Sequence, residues 1–310
     1  MKFGLSLNAN DSVPTTLIKS REAERLGLDC VWLPDLPSQR YAPVVSAAVA
    51  SVTHKIQIGL GLMSPFLHTP PQIASCLTTL IESYGARFDL CIGPGDRDEL
   101  HRAGVDLKSI SGIPQHLINS KTEISKRLSS RGLDCRIWLG AQGSRLLEIS
   151  PFFDGLLLNY ASPEMIEWAL KTIQAHGKMP DRVGVFAPSY VHKSPKPEIL
   201  RMLEFASAIV LLGASKAVLK QFSLLESVED ARRELQSKQL ESSILKMLPP
   251  DLAKKFSIFK RRDELPDYLD QLQRLGVEHV VFSYPQGYSI ETMKELAEGL
   301  KLWKMRKSTE

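Results

Sequence analysis

Residues 88–96 read Phe-Asp-Leu-Cys-Ile-Gly-Pro-Gly-Asp, an apolar run that breaks into a bare turn and ends on an acid, Asp96. An acid delivered at the end of a strand can give or take a proton or orient a ring nitrogen, which makes Asp96 the catalytic candidate. It can equally cap the helix that follows. Two more runs end in the same way. The first leads into Gly59-Leu60-Gly61-Leu62-Met63-Ser64-Pro65 and the second into Gly140-Ala141-Gln142-Gly143-Ser144-Arg145. Glycine at such ends leaves the backbone open to a flat or phosphorylated ligand. Candidate ligand contacts are therefore Gly61, Leu62, Met63, Ser64, Gly93, Gly95, Gly140, Ala141, Gln142, Gly143 and Ser144. Free amides after Gly143, with Arg145 beside them, suit a phosphate; a helix cap and a surface arginine are the plainer alternative. Asp35, in Pro34-Asp35-Leu36-Pro37, either faces a ligand or caps its turn. His68 precedes Thr69-Pro70-Pro71 and reads as a helix start, and Trp32 and Trp138 read as core.

Loops of this kind need strands to deliver them, and the chain supplies strands in a regular rhythm. Short apolar runs at 3–7, 30–33, 55–60, 88–92, 136–140, 155–158, 182–187 and 279–283 predict eight strands. Helical spacing appears between them at 14–26, 44–52, 70–83, 117–128 and 163–176, and again at 263–275 and 290–305. Nearly continuous apolar strands alternating with helices predict a parallel sheet covered by helices, and eight strands close a (β/α)8 TIM barrel with every functional loop at one mouth. A doubly wound open sheet would carry a glycine fingerprint after its first strand, where Leu7-Asn8-Ala9-Asn10-Asp11 has none. Residues 195–256 are helical throughout, a helical insertion between strands 7 and 8 of a single domain spanning 1–310.

Composition narrows the function classes. With 310 residues, 43% hydrophobic and 24% charged, the chain suits a folded globular protein, and no apolar run reaches the roughly 20 residues of a spanning helix. Its opening residues read as a first strand and lack a cleavage signal, so the expectation is a cytoplasmic protein with no membrane partner. A net charge of +4, with basic residues interleaved among acids, argues against a nucleic-acid surface. Cys30, Cys76, Cys91 and Cys135 show neither metal-ligand nor disulfide spacing, and no metal is expected.

Nearly the whole chain resembles the luciferase-like flavin and deazaflavin barrel enzymes, and among them the coenzyme F420-dependent methylenetetrahydromethanopterin reductases of archaeal one-carbon metabolism. The resemblance rests on Met1-Lys2-Phe3-Gly4-Leu5, Ala23-Glu24-Arg25-Leu26-Gly27-Leu28-Asp29, Val31-Trp32-Leu33-Pro34-Asp35 and the stretch from Gly59 to Pro65. Gly93-Pro94-Gly95-Asp96, Gly140-Ala141-Gln142-Gly143 and His279-Val280-Val281 complete it, the first two being the most specific. It implies an oxidoreductase that moves a hydride between F420 and a small substrate, a reduced pterin in those reductases, and it implies a homodimer. It also implies a cis peptide at Gly61-Leu62 that backs the deazaflavin ring, with the cofactor held by the loop residues above and Asp35. An alternative within the same resemblance is a monooxygenase or reductase using flavin mononucleotide (FMN), its phosphate on Gly143-Ser144-Arg145. A barrel without catalysis, acting as a binding or regulatory subunit, is a further alternative, because three features depart from the pattern. Ser6 stands where the reductases carry an acid, Leu36 follows Asp35 where a histidine is common, and residues 131–135 form a shortened segment.

Overall fold

A computed structural model describes residues 1–310 apart from Pro37, 107–109, 236–254 and 310. The strands are β1 (Lys2–Ser6), β2 (Cys30–Leu33), β3 (Gln57–Met63), β4 (Phe88–Ile92), β5 (Arg136–Ala141), β6 (Gly155–Leu158), β7 (Val183–His192), β8 (Ile258–Arg261) and β9 (Val277–Ser283). All pair in parallel. β1 to β7 follow one another in space, β7 pairs with β9, and β9 returns to β1, so eight strands close a barrel. The ninth strand, β8, was not legible as one. It stands outside the ring on an upward extension of β7, where Ser189 to His192 pair with Ile258 to Arg261.

Helices cover the outside: α1 (Val13–Arg25), α2 (Ala42–Val52), α3 (Pro70–Tyr84), α4 (Arg97–Arg102), α5 (Ile113–Ser129), α6 (Ser144–Leu147) and α7 (Pro163–Gln174). Between β7 and β8 run α8 (Pro197–Gly213), α9 (Lys216–Gln221) and α10 (Leu225–Leu235); part of the expected 195–256 insertion lies outside the described residues. α11 (Leu265–Arg274) and α12 (Ile290–Thr309) close the chain. Among the described residues no helix is long and apolar enough to cross a membrane. Starts are set by side chains and proline: Ser12 caps α1, and Thr69 with Gln72 forms a reciprocal capping box on α3.

Strand residues alternate between the barrel interior and the layer under the helices, and the two layers differ in kind. Phe3, Leu5, Val31, Leu33, Ile58 and Leu60 face outward into one continuous apolar core. The inward set is Cys30, Trp32, Cys91, Trp138, Leu157 and Val281, joined by Leu62 and Phe186. Two tryptophans fit inside so narrow a barrel only because glycine stands opposite them. A Cβ on Gly59 would strike the Trp32 ring, and one on Gly155 would strike Trp138. Their indole N–H groups need buried acceptors. Trp32 Nε1 donates to His279 Nε2 at 3.3 Å and Trp138 Nε1 donates to Asp89 Oδ2 at 3.3 Å, while the His279 and Trp138 rings stack 5.5 Å apart. Arg136 pairs with Asp89 at 3.0 Å.

Burial pushes the His279 pKa down to about 3, with Lys2 and Arg136 adding to the shift, so the imidazole is neutral in the fold. An unfolded chain takes up that proton near pH 6.5 and the folded one does not until about 3, so this group's contribution to stability falls as pH drops through that window. Between pH 7 and pH 5 the loss is about 2 kcal/mol. His279→Gln should remove it, so that urea titrations at the two pH values show a smaller difference for the variant than for the unmodified protein.

Candidate active site

The inward positions at the carboxyl ends of the strands form the floor of a cavity of about 2100 Å³. That is larger than the roughly 300–1,000 Å³ of a single drug-sized ligand site. Ser6 and Asn8 come from β1 and its loop, Gly61 and Leu62 from β3, Cys91 from β4, Gly140 and Gln142 from β5, and Leu157 and Asn159 from β6 and its loop. Phe186 and Pro188 add β7, and Ser283 adds β9. α8 forms one side wall with Met202, Phe205 and Ile209, three residues of one helical face, and Leu100, Val105 and Ile113 lie on other walls.

The peptide Gly61-Leu62 is cis, and the pairing of β3 with β4 shifts register between Leu60 and Met63. This turns Leu62 into the mouth, where it settles over two glycines. A Cβ on Gly93 would come within 2.5 Å of Leu62 Cδ1, and a Cβ on Gly140 within 2.6 Å. The glycines of the three loops therefore make room for the protein's own side chains as much as for a ligand. Gly95 leaves space for Ser64, 2.9 Å from a built Cβ and at φ +98°, and Gly143 leaves space for Ser215 at 2.8 Å. By that last contact the start of α9 is docked onto the β5 loop.

Of the residues expected to hold a cofactor, Gly61, Leu62, Gly95, Gly140, Ala141, Gln142, Gly143, Ser144 and Arg145 line the cavity. Asp35, Met63, Ser64 and Gly93 do not. Met63 is buried in the outer core. Ser64 Oγ donates to the Pro94 carbonyl at 2.7 Å and so ties the β3 loop to the β4 loop. Asp35 is buried, accepts from the Ala42 amide at 3.1 Å, and meets His68 Nε2 at 2.6 Å. His68 thus bridges two loops in addition to preceding α3. Asp96 is exposed and outside the cavity lining; its Oδ1 accepts from the Glu99 amide at 3.1 Å, the capping alternative. Glu99 in turn is buried and accepts from Ser38 Oγ at 2.5 Å, and its bonds to Ser38 and Arg102 outweigh desolvation and hold it below the usual carboxylate range. Ser144 is the first residue of a single-turn helix whose cap position is Gly143, without a side-chain cap bond.

Charge is confined to the rim. Arg145, Arg201 and Lys216 line it against Asp106, and Lys216 pairs with Glu229 at 3.1 Å. Arg145 has no ion-pair or hydrogen-bond partner among the described residues. Sequence reasoning missed Phe186, Asn159, Ser283 and the α8 face. The strand residues were open to discovery, since each stands two positions past a buried inward residue of its strand, whereas nothing in the α8 pattern says which side meets the barrel.

The closed parallel barrel carries a bulge and a cis peptide at the mouth of its third strand, and residues 6–109 match the family model described as luciferase-like monooxygenase. Over nearly its whole length the chain is similar to the 5,10-methylenetetrahydromethanopterin reductases of Archaeoglobus fulgidus (26% identical, covering 93% of this chain and 94% of that one) and Methanolobus tindarius (24%, 93% and 95%). The solved structure of the coenzyme F420-dependent tetrahydromethanopterin reductase from Methanopyrus kandleri superimposes with a TM-score of 0.82 at 22% identity, over 96% of this chain and 97% of that one.

Because Leu62 fills the space over Gly140, Gly140→Ala forces it aside. The variant should lose about 1–3 kcal/mol in a urea titration, the usual cost of overpacking. A Gly132→Ala control changes a site where nothing lies within 4 Å of a built Cβ, so any loss there reports only the glycine's positive φ.

Proposed function

We propose that the protein is a coenzyme F420-dependent oxidoreductase that moves a hydride between the deazaflavin and methylenetetrahydromethanopterin. The observation that carries the reading is Leu62, turned into the mouth by the cis Gly61-Leu62 peptide and seated over Gly93 and Gly140. It makes a fixed apolar face against which a planar ring can lie. The similarity to the reductases over more than nine tenths of the chain supports the same reading.

The residues present suit such a cofactor. Leu62, Leu157 and Phe186 provide apolar surface for the ring, and the amides of Gln142 and Asn159 can bond its polar edge. Gln142 Nε2 already donates to the Asn159 carbonyl at 3.3 Å, which holds that side chain in place. Arg145 supplies the counter-charge for the anionic tail. When bound, the deazaflavin supplies the hydride chemistry. The protein positions the second ligand in the remaining volume, under the apolar wall of α8, and keeps bulk water from the floor. Asp96 contributes through the cap of α4, which fixes the β4 loop. A single-domain, cytoplasmic homodimer completes the reading; exposed Tyr41 and Val44 at α2 suit a contact between copies.

An FMN-dependent monooxygenase is the second reading, favoured by the description of the matching family model. Titration of the protein with F420 and with FMN, followed by fluorescence quenching, separates the two. Micromolar binding of F420 and none of FMN is the expected result; the reverse selects the second reading, and binding of neither leaves a barrel with a non-catalytic role. Arg145→Ala should weaken F420 binding about tenfold and reduce its dependence on salt.

A further inference from the structure

β1 and β9 are neighbours, and their register pairs Leu5 with Phe282, which sets Ser6 beside Ser283. Both serines point inward. Gly4 and Val281, two residues earlier on each strand, meet in the barrel interior, where a Cβ on Gly4 would lie 3.4 Å from Val281, and side chains on a strand return to the same face every second residue. Both serines line the cavity, and neither hydroxyl has a hydrogen-bond partner among the described residues. Ser6 is only 4% exposed. What little surface Ser6 keeps opens onto the cavity, so its hydroxyl is left to bond a ligand or water there. Paired positions on adjacent strands stand about 5 Å apart, so the two hydroxyls form a matched pair.

Their place in the ring says which ligand they meet. In the closed order β1-β2-β3-β4-β5-β6-β7-β9, Leu62 leaves β3 and lies over Gly93, just past the end of β4, and Gly140 on β5. Three strands lie between β4 and β9 either way round the ring, and three between β5 and β1, so the serine pair faces the Leu62 patch across the mouth. A ring lying on Leu62 leaves the serine pair to the second ligand. The chemistry of the pair is also specific. Each hydroxyl both donates and accepts, and neither is charged. The inward ionisable groups Asp89 and His279 lie beyond the tryptophans that bond them, on the side away from the cavity.

The geometry points to Ser6 and Ser283 as a substrate subsite that holds the uncharged lactam edge, one carbonyl and one N–H, of the hydride acceptor. This rests on the proposed function in two respects, the substrate class and the assignment of the opposite wall to the cofactor. A carboxylate at position 6 would accept only, and would repel the lactam carbonyl while favouring an edge made of donors alone.

The test is calorimetric binding of tetrahydromethanopterin to the cofactor-free protein, with F420 titration run alongside. Ser6→Ala and Ser283→Ala should each weaken tetrahydromethanopterin binding about five-fold, the worth of one hydrogen bond, and leave F420 affinity unchanged. Ser6→Asp should weaken tetrahydromethanopterin binding more than either. Unchanged affinity in both alanine variants overturns the assignment. Tighter binding by Ser6→Asp overturns the lactam, a parallel loss of F420 affinity gives the pair to the cofactor instead, and no binding of tetrahydromethanopterin by the unmodified protein overturns the substrate class. Failure of F420 alone to bind counts against the proposed cofactor and not against the serine pair, whose readout does not use it.

Discussion

The height of the floor in this barrel is set by two indole rings lying on two glycines. Trp32 occupies the space that a side chain on Gly59 would take, and Trp138 the space of one on Gly155. Each ring also ends in a polar N–H that would be costly to bury alone, and each finds an acceptor, His279 or Asp89. The plug separates two electrostatic worlds. Ionisable inward groups lie on one side of it, and on the other is a floor built of serine, asparagine, glutamine and apolar side chains.

The mouth is built on the same principle at a smaller scale. Leu62 takes the room left by Gly93 and Gly140, Ser64 the room left by Gly95, and Ser215 the room left by Gly143. Loops that look open in sequence are closed in the fold by the protein's own side chains. Hydrogen bonds then stitch the loops together, from Arg40 to the Asp11 carbonyl, from His68 to Asp35, from Ser64 to Pro94 and from Ser38 to Glu99. The rim from β1 to β4 is thereby a connected frame.

Much of this architecture is legible in the sequence. Short, nearly continuous apolar runs located all eight barrel strands to within a few residues, because strands buried on both faces cannot hide their hydrophobicity. β8 escaped because Ile258-Phe259-Lys260-Arg261 is half exposed and borrows its order from the overhang of β7. The candidate loops were legible as loops, but the partners of their glycines were not, since Leu62 and Ser215 reach Gly93, Gly140 and Gly143 only through tertiary contact. Asp96 and Asp35 show the limit of reading acids at strand ends. Both satisfy local backbone amides, of Glu99 and Ala42, and a sequence cannot say which way a carboxylate turns.

β7 runs ten residues, well past the barrel, and its overhang is clasped on one side by β8 and on the other by Gln286, which accepts from the Val191 amide at 2.6 Å. The chain thus leaves the barrel beside the point where it re-enters, at a clasp that belongs to neither the floor nor the rim. The described helices between, α8 with its wall of the cavity, α9 and α10, form a cassette held at that one clasp. Its length and side chains can therefore change without disturbing strand register, the tryptophan plug or the Leu62 platform, so one barrel floor can carry cavities of different size.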